Sequence, residues 1–437
     1  MRKRVLLIVH DNPIDPLGVM YLISNTSAIY DVLFISRYDE NILSRKSSDN
    51  YDIVGFSTIT GSHLLHNQIA GFYKRKNPSI VTIMGGPHPT FFPHESLKLL
   101  NIDCICVGEG VVAFKHFLNE KPCDNIIYKG ETDIKRILLP LVDINTIKSP
   151  DREVVYSIDN RGKNPIRNFM GMFGCPYDCS YCYNKSYHQL YKNQPRLRFK
   201  DPELFINEIR ECVDKYSTRL VYIQDDTFII NRKWFYNVSS LMKNKIHLPY
   251  HCHIRCDIAT KEDIEVLKDT GCKSVTFAIE TADEVYRKQY LNRNMTNSKI
   301  MQVADWLKEY DIKFRIENMV GLPNSSFRND LDTLKLNIRC KPTVGWASLY
   351  QPYPNTKLGE YCKRCGVWDG VIDNIKPSFF ETSVLSIENK QVIERFQKVF
   401  AIIVKYPFMK VLLYLPFDWI YKLCYKAFKT WQYHNLF

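Results

Sequence analysis

At 437 residues the chain is long for a single hydrophobic core, and its 45% hydrophobic and 13% aromatic content excludes a disordered, charge-dominated polymer. The net charge of +12, from 59 Lys and Arg against 47 Asp and Glu, is spread over most of the sequence, so no concentrated basic stripe points to nucleic acid. Fourteen cysteines over this length do not make the disulfide framework of a small secreted domain. The opening apolar run Val5–Val9 is too short for a signal peptide and meets Asp11 and Pro13 at once. The thiols are therefore expected to be reduced and the chain cytoplasmic.

The first 125 residues alternate short apolar runs with helix-length segments. VLLIV, DVLFI, IVGFS, IVTIMGG and DCICVGEG read as strands. Continuous apolar runs, each followed by a loop and a helix, are the pattern of buried parallel strands. They predict a doubly wound, Rossmann-like α/β domain over 1–125, with ligands at the carboxyl ends of its strands. Residues 126–165, with Pro140, Pro150 and Pro165, lose the periodicity and read as a linker. A second βα series then begins: NFMGMFGC, LVYIQDD, HCHIRCD, SVTFAIET, KFRIENMVGLP and WASLYQPYP, with helices between them, for example over 261–270 and 297–310. Six units predict an open, partial (β/α)6 TIM-type barrel over 166–385, short of the eight of a closed one. Residues 386–437 form a third, helical segment interrupted by Pro407 and Pro416.

Chemistry concentrates in Cys175-Pro-Tyr-Asp-Cys179-Ser-Tyr-Cys182. Three thiolates four and three residues apart can wrap one small inorganic cluster from a single loop. Soft thiolates suit iron–sulfur clusters, and three ligands to a 4Fe–4S cluster leave one iron open. Zinc would need a fourth ligand from elsewhere in the chain. This C-x3-C-x2-C loop, with Tyr181 before its last cysteine, resembles the signature of the radical S-adenosylmethionine superfamily. The resemblance implies that Cys175, Cys179 and Cys182 bind the cluster and that its open iron chelates S-adenosylmethionine. One electron then cleaves that cofactor to a 5′-deoxyadenosyl radical, supplied in such families by a donor such as flavodoxin or ferredoxin.

Alternation along the other strands is consistent with this. In HCHIRCD, His251, His253 and Arg255 share one face, and Cys252, Ile254 and Cys256 the other. The polar set is expected to face the barrel interior, as a polar wall rather than a metal site. In SVTFAIET, Thr276, Ala278 and Glu280 face inward. This strand resembles the family's Gly-x-Glu-Ser strand, with Ala278 and Thr281 in place of Gly and Ser, which implies that Glu280 and Arg255 position S-adenosylmethionine. Asp225 and Asp226 resemble the paired acids of related enzymes, and helix capping by Asp226 or Thr227 is the other reading. MVGLPN and YQPYPNTKL resemble the family's Gly-Leu-Pro-Gly and Pro-Tyr-Pro-Gly-Thr segments, with Asn324 and Asn355 standing for Gly. Asn accepts left-handed backbone better than other side chains, so both turns are expected to survive.

In the first domain Gly85 and Gly86 follow a strand directly, Pro16-Leu-Gly18 lies in the first loop, Gly55-Phe-Ser57-Thr58 ends the third strand and Val107-Gly108-Glu109-Gly110 the fifth. Together these resemble the cobalamin-binding domain that precedes the barrel in one large radical subfamily, and imply that Gly85, Gly86, Ser57, Gly108 and Glu109 bind cobalamin, the glycine loops cradling its nucleotide tail. Val111 stands where relatives often carry Glu. The loop DNPIDPLG has no histidine in the register of the cobalt-binding Asp-x-His-x-x-Gly motif, so cobalt is expected base-off without a protein histidine. His88 and His94 read equally as surface residues or ligands, and His63 and His66 lack the third partner a metal site needs.

From Ser386 onward the chain holds eight Lys or Arg against three acids, interleaved with aromatics. This tail is expected to lie over the barrel as a helical lid, the other reading being an interfacial element touching the inner membrane face peripherally. Cys362-x2-Cys365 reads as ordinary thiols. The resemblance implies a cobalamin-dependent methyltransferase acting on an unactivated carbon or on phosphorus, through the adenosyl radical and methylcobalamin. Cyclisation, rearrangement or oxidation on the same scaffold is the alternative, and a sensor or carrier with a vestigial barrel a third, against which the intact cysteines argue. The substrate is expected to be a small molecule or a lipid, with no nucleic-acid partner.

Overall fold

The computed structural model describes residues 2–131, 138–414 and 418–437, so Pro416 lies outside the described residues. The chain divides into two compact units. The first comprises Met1–Asn164 with Ser186–Pro195 and Ile372–Pro377, the second Pro165–Lys185, Arg196–Val371 and Ser378–Phe437.

The first unit is built on one six-stranded sheet: β1 (Arg4–His10), β2 (Ile29–Ile35), β3 (Ile53–Ser57), β4 (Val81–Gly85), β5 (Cys104–Cys106) and β6 (Ile126–Tyr128), in the order β2-β1-β3-β4-β5-β6. The first five strands are parallel, as continuous runs such as VLLIV require, since such a strand is covered on both faces. Val5, Leu6 and Ile8 have no exposed surface. β6 pairs antiparallel with β5, so the sheet runs three residues into the stretch expected to be linker. Its short Ile-Ile-Tyr run was too brief to separate from a connector.

The second unit holds β7 (Ile166–Phe169), the two-stranded antiparallel pair β8 (Met172–Phe173) and β9 (Arg198–Phe199), then β10 (Leu220–Ile223), β11 (Tyr250–His253), β12 (Cys272–Glu280), β13 (Lys313–Val320) and β14 (Val344–Leu349). Its main sheet is parallel throughout, in the order β14-β13-β12-β11-β10-β7. These are the six expected βα units, unclosed. The helices Lys261–Asp269 and Asn297–Glu309 fall where the pattern places them, each begun by a threonine cap, Thr260 and Thr296.

The tail packs as helix Lys390–Lys405 against β14, burying Ile393, Phe396, Val399, Phe400 and Ile403 in one cluster with Val320 and Leu349. The chain's last two residues, Leu436 and Phe437, are buried with Ile166, Leu220, Tyr222 and Val344 at the start of the sheet. The tail is thus an integral layer of the second unit, with its apolar stripe facing the sheet's helix-covered side. Among the described residues no helix is long and apolar enough to cross a membrane.

Candidate active site

The cysteine loop is entered through Gly174, whose φ of +95° and whose 2.2 Å gap between a built Cβ and the Arg196 carbonyl oxygen leave room for no side chain. Cys175 and Cys179 are buried and Cys182 half-buried. Burial pushes the Cys175 thiol up to about 12 and the Cys182 thiol up to about 11, with the Asp226 carboxylate adding to both. Such thiols become thiolates only beside a compensating cation, which is what a metal cluster supplies. Among the described residues no three His, Cys, Asp or Glu side chains converge on one metal ion. Three thiols on one loop suit a cluster, whose irons take one thiolate each.

Around the loop the barrel brings a set of polar side chains together. Tyr181 donates to Glu280 Oε1 at 2.6 Å, and Arg293 Nη1 donates to the Tyr181 hydroxyl at 2.9 Å. Arg293 also lies 3.5 Å from Glu280 Oε1 and donates through Nη2 to the Ala278 carbonyl oxygen at 2.6 Å. Burial pushes the Glu280 carboxyl up, against the opposing pull of Arg293 and Tyr181. Glu280 ends β12 with φ of +66°, where the strand register shifts after Ala278. A bulky residue there carries backbone strain, a feature that concentrates at functional sites. Arg255 forks onto Asp257 at 2.7 and 3.1 Å, stacks 3.5 Å from the Tyr177 ring centroid and brings Nη1 to 3.9 Å from Cys179 Sγ. Arg293 has no signal in the sequence beyond its charge: it follows a short helix in a loop matching no motif.

The remaining predicted residues fall as follows. His251 and His253 do lie on one face. His251 shares its ring nitrogens with Ser274 (2.7 Å) and Thr276 (3.0 Å), and His253 meets the Tyr222 hydroxyl at 3.0 Å. Burial pushes the His253 imidazole down to about 4, and the hydrogen-bonded pair lines the strand as a polar wall. Asp225 is fully buried beneath the loop and accepts from the Gly171 amide at 2.8 Å. It is not gathered into the Tyr181–Glu280–Arg293 group, and neither Asp226 nor Thr227 caps a helix, the next one being capped by Asn231. Asp226 accepts from Asn184 at 3.3 Å. Asn324 and Asn355 take φ of +54° and +63°, so both Gly-substituted turns keep left-handed backbone. Cys362 is buried and Cys365 exposed, as ordinary thiols.

In the first unit Gly86 has φ of +96°, and a Cβ there would meet the Thr58 carbonyl oxygen at 2.9 Å. The β3 and β4 loops are tied by Thr58 N donating to the Gly85 carbonyl at 2.8 Å and His88 N to the Thr58 carbonyl at 3.0 Å. Ser57 closes β3 in register with Gly85. Gly108 has φ of +76°, its open side filled by Tyr191, and Glu109 spends its carboxylate on the Val142 amide (2.8 Å) and the Tyr187 hydroxyl (3.4 Å). His94 is exposed, but His88 is not a surface residue. It is fully buried and stacks on His63, centroids 4.1 Å apart. Its neighbour Pro89 and the tight Gly-Gly turn carry it inward, which a local sequence reading does not show. A side-chain-free cradle at the carboxyl ends of β3 and β4, with the buried Nε2 atoms of His66 and His88 lacking protein partners, fits a large polar cofactor.

Comparison with known proteins agrees with both units. Residues 170–336 match the model of the Radical SAM superfamily, and residues 3–118 that of the B12 binding domain. The chain is a radical S-adenosylmethionine protein with a B12 binding domain ahead of its radical domain. Among curated proteins it is 25% identical to an uncharacterized methyltransferase of Pyrococcus horikoshii, over 79% of this chain and 78% of that one. It is also 25% identical to the anaerobic magnesium-protoporphyrin IX monomethyl ester cyclase of Rubrivivax gelatinosus (78% and 65%) and 22% identical to the hopanoid C-2 methylase of Rhodopseudomonas palustris (80% and 64%). Of solved structures, the radical S-adenosylmethionine methyltransferase TsrM of Kitasatospora setae shares the fold at a TM-score of 0.69 and 14% identity, over 84% of this chain and 79% of that one. Membership implies a 4Fe–4S cluster, S-adenosylmethionine and cobalamin as cofactors, and the chain is a cobalamin-dependent radical enzyme.

Proposed function

We propose that the chain is a methyltransferase acting on an unactivated carbon or on phosphorus of a small molecule or lipid. The observation that carries this is the joining of the cysteine loop to a strained, buried carboxylate through Tyr181, in a chain that also holds a corrin-type glycine cradle. When bound, the cluster supplies the electron that cleaves S-adenosylmethionine and cobalamin supplies a methyl carrier. Cys175, Cys179 and Cys182 hold the cluster. Glu280, fixed by Tyr181 and Arg293, offers its second carboxylate oxygen to S-adenosylmethionine, and Arg255 lies beside Cys179 to steady charge at the cluster. Asp225 shapes the loop entry by holding the Gly171 amide. Gly85, Gly86, Ser57, Gly108 and Glu109 form the cobalamin side of the first domain, whose sheet extends through β6 to Tyr128. A connector over 129–165, the barrel over 166–385 and the helical tail complete the chain. An electron donor such as flavodoxin or ferredoxin is the partner this chemistry needs, and nucleic acid is not one.

The Rubrivivax relative's name favours a second reading, radical cyclisation without methyl transfer. Peripheral membrane contact by a cytoplasmic chain is supported by Phe408 and Trp419, exposed at 76% and 65%, beside the exposed Lys410 and Lys422.

Anaerobic loading with iron, sulfide and cobalamin, followed by S-adenosylmethionine and a reductant, tests the assignment. The expected result is about four irons per chain, bound corrin, and both 5′-deoxyadenosine and S-adenosylhomocysteine. Formation of 5′-deoxyadenosine alone favours the non-methylating reading. A well-folded chain that takes up neither cluster nor corrin sinks both.

A further inference from the structure

Four of the eleven histidines gather at one edge of the first unit's sheet. His10 closes β1, His63 and His66 follow β3, and His88 follows β4. His10 reaches Ser62 Oγ at 3.5 Å, His63 meets Asp373 at 2.9 Å, and His63 stacks on His88 at an interplanar angle of 15°. Two of the four repeat one arrangement. Thr58 Oγ1 engages His66 Nδ1 at 2.8 Å, and Thr60 Oγ1 engages His88 Nδ1 at 3.2 Å. Both imidazoles are fully buried, and in both the Nε2 atom has no protein partner.

Leaving a buried ring nitrogen unpaired costs about 1–3 kcal/mol, and here the cost is incurred twice within one cluster. Burial pushes both imidazoles down to about 3, so both are neutral at ordinary pH and each bonds as a neutral tautomer. In the tautomer whose Nδ1 accepts the threonine hydroxyl proton, Nε2 carries the ring proton and is a donor. Two donors at the carboxyl ends of β3 and β4, beside the Gly85–Gly86 turn, stand at the ligand edge of a doubly wound sheet. Among the described residues no three of these side chains converge on one ion.

We propose that His66 and His88 hydrogen-bond through Nε2 to the nucleotide tail of bound cobalamin, which supplies phosphodiester and ribose acceptors, and that neither ligates cobalt. The inference rests on the assignment of this unit as the corrin domain and adds to it which side chains grip the tail. It also predicts selectivity: corrinoids lacking the nucleotide gain nothing from these two residues.

The test compares binding of cobalamin and of cobinamide, which lacks the tail, to the full chain by equilibrium dialysis read at the corrin absorbance. His66→Asn and His88→Asn keep a polar atom near the Nδ1 position for the threonine and remove the Nε2 donor. His→Gln at each position restores a donor near Nε2. The asparagine variants are expected to bind cobalamin about tenfold more weakly, the loss of one hydrogen bond. The glutamine variants are expected to recover part of this, and cobinamide binding is expected to be unchanged throughout. Equal weakening for both corrinoids, or none for either, overturns the proposal. So does a nitrogen superhyperfine triplet from a protein ligand in the paramagnetic resonance spectrum of the bound cob(II) form, a readout independent of turnover. If an asparagine variant does not fold, Thr58→Val and Thr60→Val release the tautomers in place, with the same cobalamin-confined loss expected. A wild-type chain binding neither corrinoid would instead overturn the assignment of the unit itself.

Discussion

The phenol of Tyr181 donates a 2.6 Å hydrogen bond to Glu280 Oε1, tying the cysteine loop to the end of β12. The two residues are 99 apart in sequence, and the contact fixes where the loop sits over the sheet. It also leaves Glu280 Oε2 for another partner, and it places the strained end of β12 beside the loop that carries the cysteines.

Removing the phenol separates these effects. Tyr181→Phe keeps the ring that shapes the loop and deletes the bond to a charged acceptor, a contact of about 1.5–3 kcal/mol. Iron uptake is expected to stay at the wild-type level while 5′-deoxyadenosine formed per cluster falls roughly tenfold. Iron analysis paired with product quantification reads both. Iron falling in step with product would show that Tyr181 only builds the loop.

Arg293 is the counter-charge of that carboxylate, and both are buried. Breaking a buried pair by removing one partner costs about 3–5 kcal/mol, because the other charge is left uncompensated. Arg293→Met is expected to lower the urea midpoint of the second unit clearly. Adding Glu280→Gln should return part of the loss by removing the stranded charge. A double variant no more stable than Arg293→Met would mean that the arginine acts through Ala278 and Tyr181 instead.

Much of this was legible because the chemistry is local. Cys175, Cys179 and Cys182 lie on one loop, and the longer strands of both sheets announce themselves as apolar runs or as alternating polar and apolar residues. Glu280 could be singled out because β12 alternates and an inward acid stands out among small residues. What stayed hidden is what the fold assembles from distance. Arg293 reaches Glu280 from a loop with no pattern, and β8 with β9 is only two residues on each side. His88 is drawn inward by a turn whose geometry Gly86 sets. Phe437 meets Tyr222 and His251 at ring distances of 5.3 and 5.0 Å although nothing in the tail's composition marks its last residue as core.

Gly86 gives a test confined to the first unit. Its positive φ and the Thr58 backbone 2.9 Å from a built Cβ oppose any side chain. Gly86→Ala is expected to cost about 1–3 kcal/mol in strain and to abolish corrin retention on gel filtration. Iron content should be preserved, since the cysteines belong to the other unit. Corrin retained at the wild-type ratio would remove Gly86 from the cofactor's cradle.

Asp330 carries a pH signature away from both cofactor loops. Buried in the helix Phe327–Cys340 and held by the Gly321 amide at 3.3 Å, its carboxyl is pushed up to about 7 by burial. The folded chain therefore binds a proton that the unfolded chain releases near pH 4, and stability falls as pH rises between these values. Above pH 7 the buried charge is a full penalty, on the order of a few kcal/mol. Asp330→Asn is expected to raise the melting temperature at pH 8, to leave it unchanged near pH 4, and to flatten the dependence between. Equal shifts at both pH values would mean a packing effect rather than titration.

The tail's standing as a structural layer can be judged at one glycine. Gly345 in β14 faces Val404 of the helix Lys390–Lys405, and a built Cβ would lie 2.8 Å from Val404 Cγ2 and 2.9 Å from Cγ1. The strand and helix approach closely only because residue 345 has no side chain. Gly345→Ala overpacks that contact and is expected to destabilise the second unit by about 1–3 kcal/mol. Combining it with Val404→Ala should recover much of the loss, as the two methyl groups compete for one space. A helix laid loosely over the barrel would slide outward and make Gly345→Ala silent. A helix that is part of the fold cannot, because Phe396, Phe400 and Ile403 on the same face are fully buried.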